Sequence, residues 1–219
     1  MLKIISTSDG SNTLYVPELD EHYHSKFGAV RESKHVFIEA GYKSVACNPV
    51  KIFELGFGTG LNALLTLLES INDKRMVDYV SVEKNPLPES VYKKLNYSTL
   101  FPGNEGSYFD LLHECRWGIP CSISNNFSLL KIEKDLREAD IDMIFDIVYY
   151  DAFAPDKQPE MWSYDVLSKV ASLIKPDGIF VTYSAKGQLK RDLRKLGFSV
   201  KNPYGPPGKR HITRAVKIS

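Results

Sequence analysis

Cysteine is scarce in this sequence. Cys47, Cys115 and Cys121 are three in 219 residues, and no two form a C-x-x-C pair. An odd, scattered set argues against a disulfide framework and against a thiolate zinc site, and a reducing, cytoplasmic setting is expected. The five histidines show no ligand spacing; His22 and His24 are the one close pair and are expected as surface residues, so no metal is expected. Net charge is nearly absent too, at +1, which removes any global polyelectrolyte signature. Long apolar runs are missing: nothing approaches the roughly 20 residues of a membrane span. The opening "MLKIISTSDGSNTLYV" lacks the apolar core and cleavage site of a signal peptide. Repeats and low-complexity tracts are also absent.

What is present is enough for one domain with a full core, since 43% of the residues are hydrophobic. Residues 1–45 read as a flanking segment packed on that core, with turns and short strands followed by a short helix. Residues 46–219 alternate strands and helices. "VKIFELG" is a buried strand and "GLNALLTLLES" a well-buried helix. "MVDYVSVEK" is the next strand, with a helical "LPESVYKKLNY" after it. "FPGNEGS" and "WGIPCSISNN" are loops around a possible helix "YFDLLHEC". "FSLLKIEKDLREAD" predicts a strand leading into a short helix, and "FDIVYYDAF" a central strand. Leu167, Val170, Ala171 and Ile174 lie on a helical spacing that stops at Pro176 and Gly178. "IFVTYS" is a strand, the helix "KGQLKRDLRKLGF" has one apolar and one basic face, and two strands around a Pro/Gly loop finish the chain. Such alternation implies a mostly parallel sheet covered on both faces. Ligands of such sheets bind at the carboxyl ends of the strands, near the switch point.

The stretch "FELGFGTGLN" lies at such an end. Gly56, Gly58 and Gly60 permit positive φ and close backbone approach to a ligand. A dinucleotide loop would be G-x-G-x-x-G, but position 61 is Leu61; a P-loop would need Lys and Ser or Thr after Gly60. Glu54 would repel a pyrophosphate and favours an ammonium or sulfonium group. Glu83 ends the next strand, where an acid accepts hydrogen bonds from ribose hydroxyls. The combination reads as a nucleoside site without phosphates, and S-adenosyl-L-methionine is the expected cofactor. Glu54, Gly56, Gly58, Gly60, Asn62 and Glu83 are the expected cofactor-binding residues.

"YYDAFAPDKQPEMW" follows the central strand. Asp151 at its start faces the same cleft and suits a catalytic role. A carboxylate there can bind a substrate ammonium, assist proton loss and orient the neutral amine for in-line attack. Phe153 is placed to flank a flat base or the target amine. Trp162 and Met161 read as core.

Residues 186–217 hold ten Lys or Arg against the single acid Asp192, hence +9 in a chain of +1, which leaves −8 for the rest. Such polarity suits docking of a phosphate backbone on one side, and Tyr204 and His211 could stack on an exposed base.

"ELGFGTGLNALLTL", "VEKNPL", "DAFAPDKQPEMW" and "GPPGKRHITRA" together resemble the methyltransferase half of the bifunctional tRNA 5-methylaminomethyl-2-thiouridine biosynthesis proteins, the MnmC family. The resemblance covers roughly residues 20–217 and implies a class I S-adenosylmethionine-dependent methyltransferase fold, Rossmann-like, with a mostly parallel seven-stranded sheet and helices on both faces. It implies methylation of the aminomethyl nitrogen of the modified wobble uridine, with tRNA bound through its anticodon region. It makes Asp151 the catalytic carboxylate, puts Phe153 and Pro155 in the substrate loop, and matches Lys209 and Arg210 to a late basic motif. Bifunctional members carry a second, FAD-dependent oxidase domain. No dinucleotide fingerprint occurs here, so a stand-alone methyltransferase without FAD is expected. Lys131 stands where an acid is expected on the adenine side. Two alternatives remain open: an aminopropyltransferase of spermidine-synthase type, and a non-catalytic nucleoside- or RNA-binding protein.

Overall fold

The computed structural model describes residues 2–101 and 105–218. Pro102, Gly103 and Asn104 of the expected loop "FPGNEGS" lie outside the described residues. The chain opens with a small antiparallel sheet of β1 (Lys3–Ser6), β2 (Asn12–Val16) and β3 (Glu21–His22). Helix α1 (Ala29–Ser33) continues into a π-helical stretch, Lys34–Glu39.

The main sheet follows. β4 (Val50–Leu55) leads through the glycine loop into α2 (Leu61–Asp73), and β5 (Val77–Glu83) lies beside β4. Three short helices, α3 (Glu89–Tyr92), α4 (Tyr97–Leu100) and α5 (Ser107–Glu114), precede β6 (Cys121–Ser124) and β7 (Phe127–Glu133). β8 (Phe145–Tyr150), α6 (Tyr164–Ser172), β9 (Ile174–Thr182), α7 (Gly187–Lys195), β10 (Phe198–Lys201) and β11 (Thr213–Lys217) complete the chain. The strand order is β10-β11-β9-β8-β4-β5-β7-β6. β7, β5, β4, β8 and β9 run parallel, while β11, β10 and β6 are paired antiparallel. After β4 the chain moves outward through β5 to β7, then returns to β8 on the other side of β4. The switch point therefore lies between β4 and β8, where a crevice forms at the carboxyl ends.

The strands are apolar on both sides, as a sheet covered on both faces requires. Ile52, Tyr79 and Tyr149 pack toward α2 and the π-helical stretch. Phe53, Val148 and Tyr150 pack toward α6 and α7 with Leu167 and Leu193. Trp162 is buried in that second layer, as expected.

Several expectations change. The sheet has eight strands rather than seven, because β6 adds an antiparallel edge next to β7. "DLREAD" is a turn rather than a helix: the Asp135 carboxylate accepts from the backbone N and side chain of Arg137, which ties the backbone into a local turn. α6 ends at Ser172, and Ile174 already begins β9. Pro176 has no N–H to donate and disfavours the α conformation at Lys175, so the helix stops before it. Cys115 and Cys121 form a disulfide, with Cα atoms 6.2 Å apart, while Cys47 is free. The scattered-thiol expectation fails because the turn between α5 and β6 brings these two residues together. Among the described residues, no helix is long and apolar enough to cross a membrane.

Candidate active site

At the switch point the carboxyl ends of the strands enclose a cavity of about 430 Å³. Its floor is the glycine loop. Gly56 has φ +88°, and a Cβ there would meet the Asp151 carbonyl oxygen at 2.8 Å. Gly58 has φ +50°, and its N–H donates to Glu83 Oε2 at 3.1 Å. Both positions require glycine, the first by strain and crowding, the second by backbone conformation. Gly60, at φ +74°, precedes α2 and packs against Phe57 and His113 instead of lining the cavity.

Glu83 reaches the cavity from the end of β5. Its Oε1 also accepts from Asn85 N at 2.7 Å, so backbone donors hold the carboxylate in place. Burial raises its proton affinity. Each oxygen keeps a lone pair for a further donor such as a ribose hydroxyl. Lys131, in contrast, is buried away from the cavity. Its ammonium donates to the His113 carbonyl at 2.7 Å and lies over the Phe57 and Trp117 rings. Burial pulls it down to about 8. The acid on that side is Asp135, which lines the cavity just past β7. Arg137 and Lys84 pair with it, and the Arg137 hydrogen bonds hold its carboxyl well below the usual range.

Asp151 stands directly past β8, its N–H donating to Leu55 O at 3.1 Å. Asn62 Nδ2, from the first turn of α2, donates to Asp151 Oδ2 at 2.8 Å. Burial pushes the carboxyl up to about 7, partly offset by the Asn62 bond; Glu32 raises it further and Lys209 lowers it. Phe153 lines the cavity and meets Tyr23 edge to face, with ring centroids 5.1 Å apart. Pro155 and Arg210 do not line it, and Arg210 is exposed. Glu54, expected to touch the cofactor, is fully buried beneath the cavity. Side chains alternate along β4, so Glu54 turns toward α2 while Leu55 reaches the wall.

Several wall residues carried no signal in local sequence. Tyr23 and Glu32 come from the N-terminal segment, and Tyr183 follows β9. Glu32 Oε2 accepts from Ser25 N at 2.7 Å, and Lys209 Nζ lies 2.6 Å from its Oε1. Lys209 thus belongs to the cavity wall. The basic segment is only partly free: Lys186 pairs with Asp156, Arg214 Nε donates to Ala40 O, and Lys217 Nζ donates to Ala171 O and Ile174 O. Arg194, Lys201 and Arg210 are exposed, and Lys190 is half-buried. Tyr204, 81% exposed, stacks on His211 at 5.6 Å between centroids. Among the described residues, no cluster suits a metal ion.

Residues 122–218 match the profile of a family described as S-adenosyl-L-methionine-dependent methyltransferase. The crystal structure of MnmC2 from Aquifex aeolicus is 30% identical, with a TM-score of 0.81 over 100% of this chain and 70% of that one. DesVI of Streptomyces venezuelae shares the fold alone, at 10% identity and a TM-score of 0.50, over 86% of this chain and 91% of that one. Two curated relatives are named tRNA 5-methylaminomethyl-2-thiouridine biosynthesis bifunctional protein MnmC. The one from Burkholderia multivorans is 28% identical over 218 residues, 90% of this chain and 32% of its own length. The one from Campylobacter hominis is 30% identical over 197 residues, 89% of this chain and 29% of its own length. The chain thus spans about a third of the length of the curated relatives it matches.

Proposed function

The chain belongs to the MnmC family of S-adenosyl-L-methionine-dependent methyltransferases, and from that premise we propose that it methylates the aminomethyl nitrogen of a modified wobble uridine in tRNA. The single observation that carries this reading is Asp151 at the switch point, beside the glycine loop and inside an aromatic cavity. The cavity suits the cofactor: the Gly56 and Gly58 backbone leaves a floor without side chains, Glu83 offers free lone pairs, and Asp135 lies where adenine would reach. When bound, S-adenosyl-L-methionine supplies a methyl group on a sulfonium.

The chain's own residues then act on the acceptor. An aminomethyl group is mostly ammonium near neutral pH and has no free lone pair. Ionised Asp151 binds that ammonium, accepts its proton and leaves the neutral amine oriented. A carboxyl at about 7 is matched to this exchange near neutral pH. Tyr23, Phe153 and Tyr183 present rings that can flank a flat base and attract a cation. Outside the cavity, Lys190, Arg194, Lys201 and Arg210 are the cations proposed to meet tRNA phosphates.

The aminopropyltransferase alternative finds less support. A polyamine needs several free carboxylates around its chain, and here Lys209 neutralises Glu32, the wall acid whose charge acts on Asp151. The deciding experiment uses tRNA from cells lacking the final methylation, incubated with the protein and S-adenosyl-L-methionine, then digested and weighed. The aminomethyl nucleoside should gain one methyl group; an unchanged mass refutes the assignment.

A further inference from the structure

Below the cavity, Glu54 on β4 stands in register with Ser81 of β5 on one side and Tyr149 of β8 on the other. Ser81 Oγ donates to its Oε2 at 2.7 Å, but Oε1 has no hydrogen-bond partner. Two more buried polar atoms are unpartnered in the same place, Asn62 Oδ1 and the Tyr79 hydroxyl. Both of those side chains lie close enough to the Glu54 carboxyl to act on its proton affinity. Asn62 also holds Asp151 through its Nδ2. One amide therefore adjoins two acids.

The balance of donors and acceptors points to the state of this cluster. Ionised Glu54 would only accept, and Asn62 Oδ1 only accepts. Buried acceptors without a donor are costly. An ionised Glu54 would also put a second negative charge near Asp151. The groups acting on Glu54 are Ser81, Asn62, Tyr79, Tyr149 and Asp151, with no cation among them.

We propose that Glu54 works as a neutral acid whose O–H supplies the missing donor to the Asn62 amide and so holds the amide's Nδ2 side on Asp151. Glu54 is then a positioning residue, acting on the acceptor only through Asn62 and Asp151. The Tyr79 hydroxyl can donate to a carboxyl oxygen in either state, so it does not decide the proton. Burial supports the proton's retention: it pushes Glu54 up to about 8, with Asp151 adding to the rise, against the lowering by Ser81, Asn62 and Tyr79. The positioning role rests on Asp151 being the activating carboxylate; the proton on Glu54 does not.

The proton is read directly in cofactor-free protein labelled with ¹³C at the glutamate carboxyl carbons. Glu54 is assigned by its loss in Glu54→Gln, and its resonance is followed with pH. A midpoint far above the ordinary glutamate value of about 4.3 is expected, and a midpoint near that value overturns the proposal. Methyl transfer then tests the positioning. Glu54→Gln keeps an N–H donor for Asn62 and should hold kcat within about threefold, with an unchanged pH profile. Glu54→Leu should lower kcat by about 10- to 100-fold with little change in KM. Its pH profile should move upward, because the Asn62 bond favours ionised Asp151. A folded Glu54→Gln as impaired as Glu54→Leu would mean that Glu54 acts as an anion, against the proposal. Absence of transfer by the wild-type protein would instead count against the tRNA assignment, and the titration would still decide the proton.

Discussion

Lys209 Nζ lies 2.6 Å from Glu32 Oε1, and this ion pair joins the N-terminal segment to the loop before β11 across the cavity wall. The ammonium also sits 3.8 Å from the centre of the Tyr183 ring. One lysine thereby neutralises Glu32 in the wall, while Asp151 has no ion pair of its own among the described residues. Its side chain is 30% exposed and that of Glu32 is 8% exposed, so solvent screens the pair only in part.

The pair should tune the pH dependence of methyl transfer. Asp151 acts when ionised, so kcat should rise with pH through about 7. Lys209→Met removes a cation that favours the ionised form and should move this limb to higher pH. Glu32→Gln removes a like charge and should move it to lower pH. Shifts of roughly half a unit to one unit are expected. Two shifts of the same sign in kcat–pH profiles would contradict this electrostatic arrangement.

Asp151→Asn should separate chemistry from cofactor affinity. Loss of a positioned base costs about 10²- to 10⁴-fold in kcat. The S-adenosyl-L-methionine dissociation constant, measured by calorimetry, should stay within a few-fold. Parallel collapse of cofactor affinity would argue that Asp151 belongs to the cofactor site.

Gly56→Ala combines a disfavoured φ of +88° with a Cβ 2.8 Å from Asp151 O. A loss of roughly 1–3 kcal/mol or more in chemical denaturation is expected, together with reduced turnover. Gly118→Ala is the control. Its φ is +77° with nothing within 4 Å of the new Cβ, so it should show only a backbone cost and normal activity. Equal effects on turnover would disprove the crowding account.

Charges in the basic segment should divide into two classes. Lys190→Ala and Arg194→Ala should weaken tRNA binding and reduce its salt slope by about 0.7–0.9 for each phosphate that is no longer neutralised. Lys217→Ala should lower the melting temperature instead, since its ammonium holds the Ala171 and Ile174 carbonyls. An unchanged salt slope in the first pair would exclude that face from the interface.

Stability should also carry the signature of Glu54. Its folded-state carboxyl is raised to about 8, so the folded protein keeps a proton that the unfolded chain releases above its ordinary value. Between these two values stability falls as pH rises. Glu54→Gln should flatten this slope in denaturation curves; an identical slope in both proteins would contradict a buried neutral acid.

Local sequence carried much of the site. Gly56 and Gly58 announced a bare backbone, and Glu83 and Asp151 lie at strand ends, where chain order alone directs them to one crevice. Glu54 misled because its charge was legible but its facing was not: pairing of β4 with β5 and β8 turned it under the floor. Glu32, Tyr23 and Tyr183 stood in segments without a motif, and Lys209 was legible as a basic residue but not as a wall residue.

The sequence by itself determined the strand–helix alternation, the glycine loop and the acids beside it. Periodicity, glycine conformation and chain adjacency are local properties. Only the tertiary structure decided the surroundings of each acid. Lys209 reaches Glu32, Asn62 reaches Asp151, and Glu54 is sealed from solvent. Those outcomes depend on burial and on contacts between distant segments, which shift proton affinities in ways that no short stretch of sequence encodes.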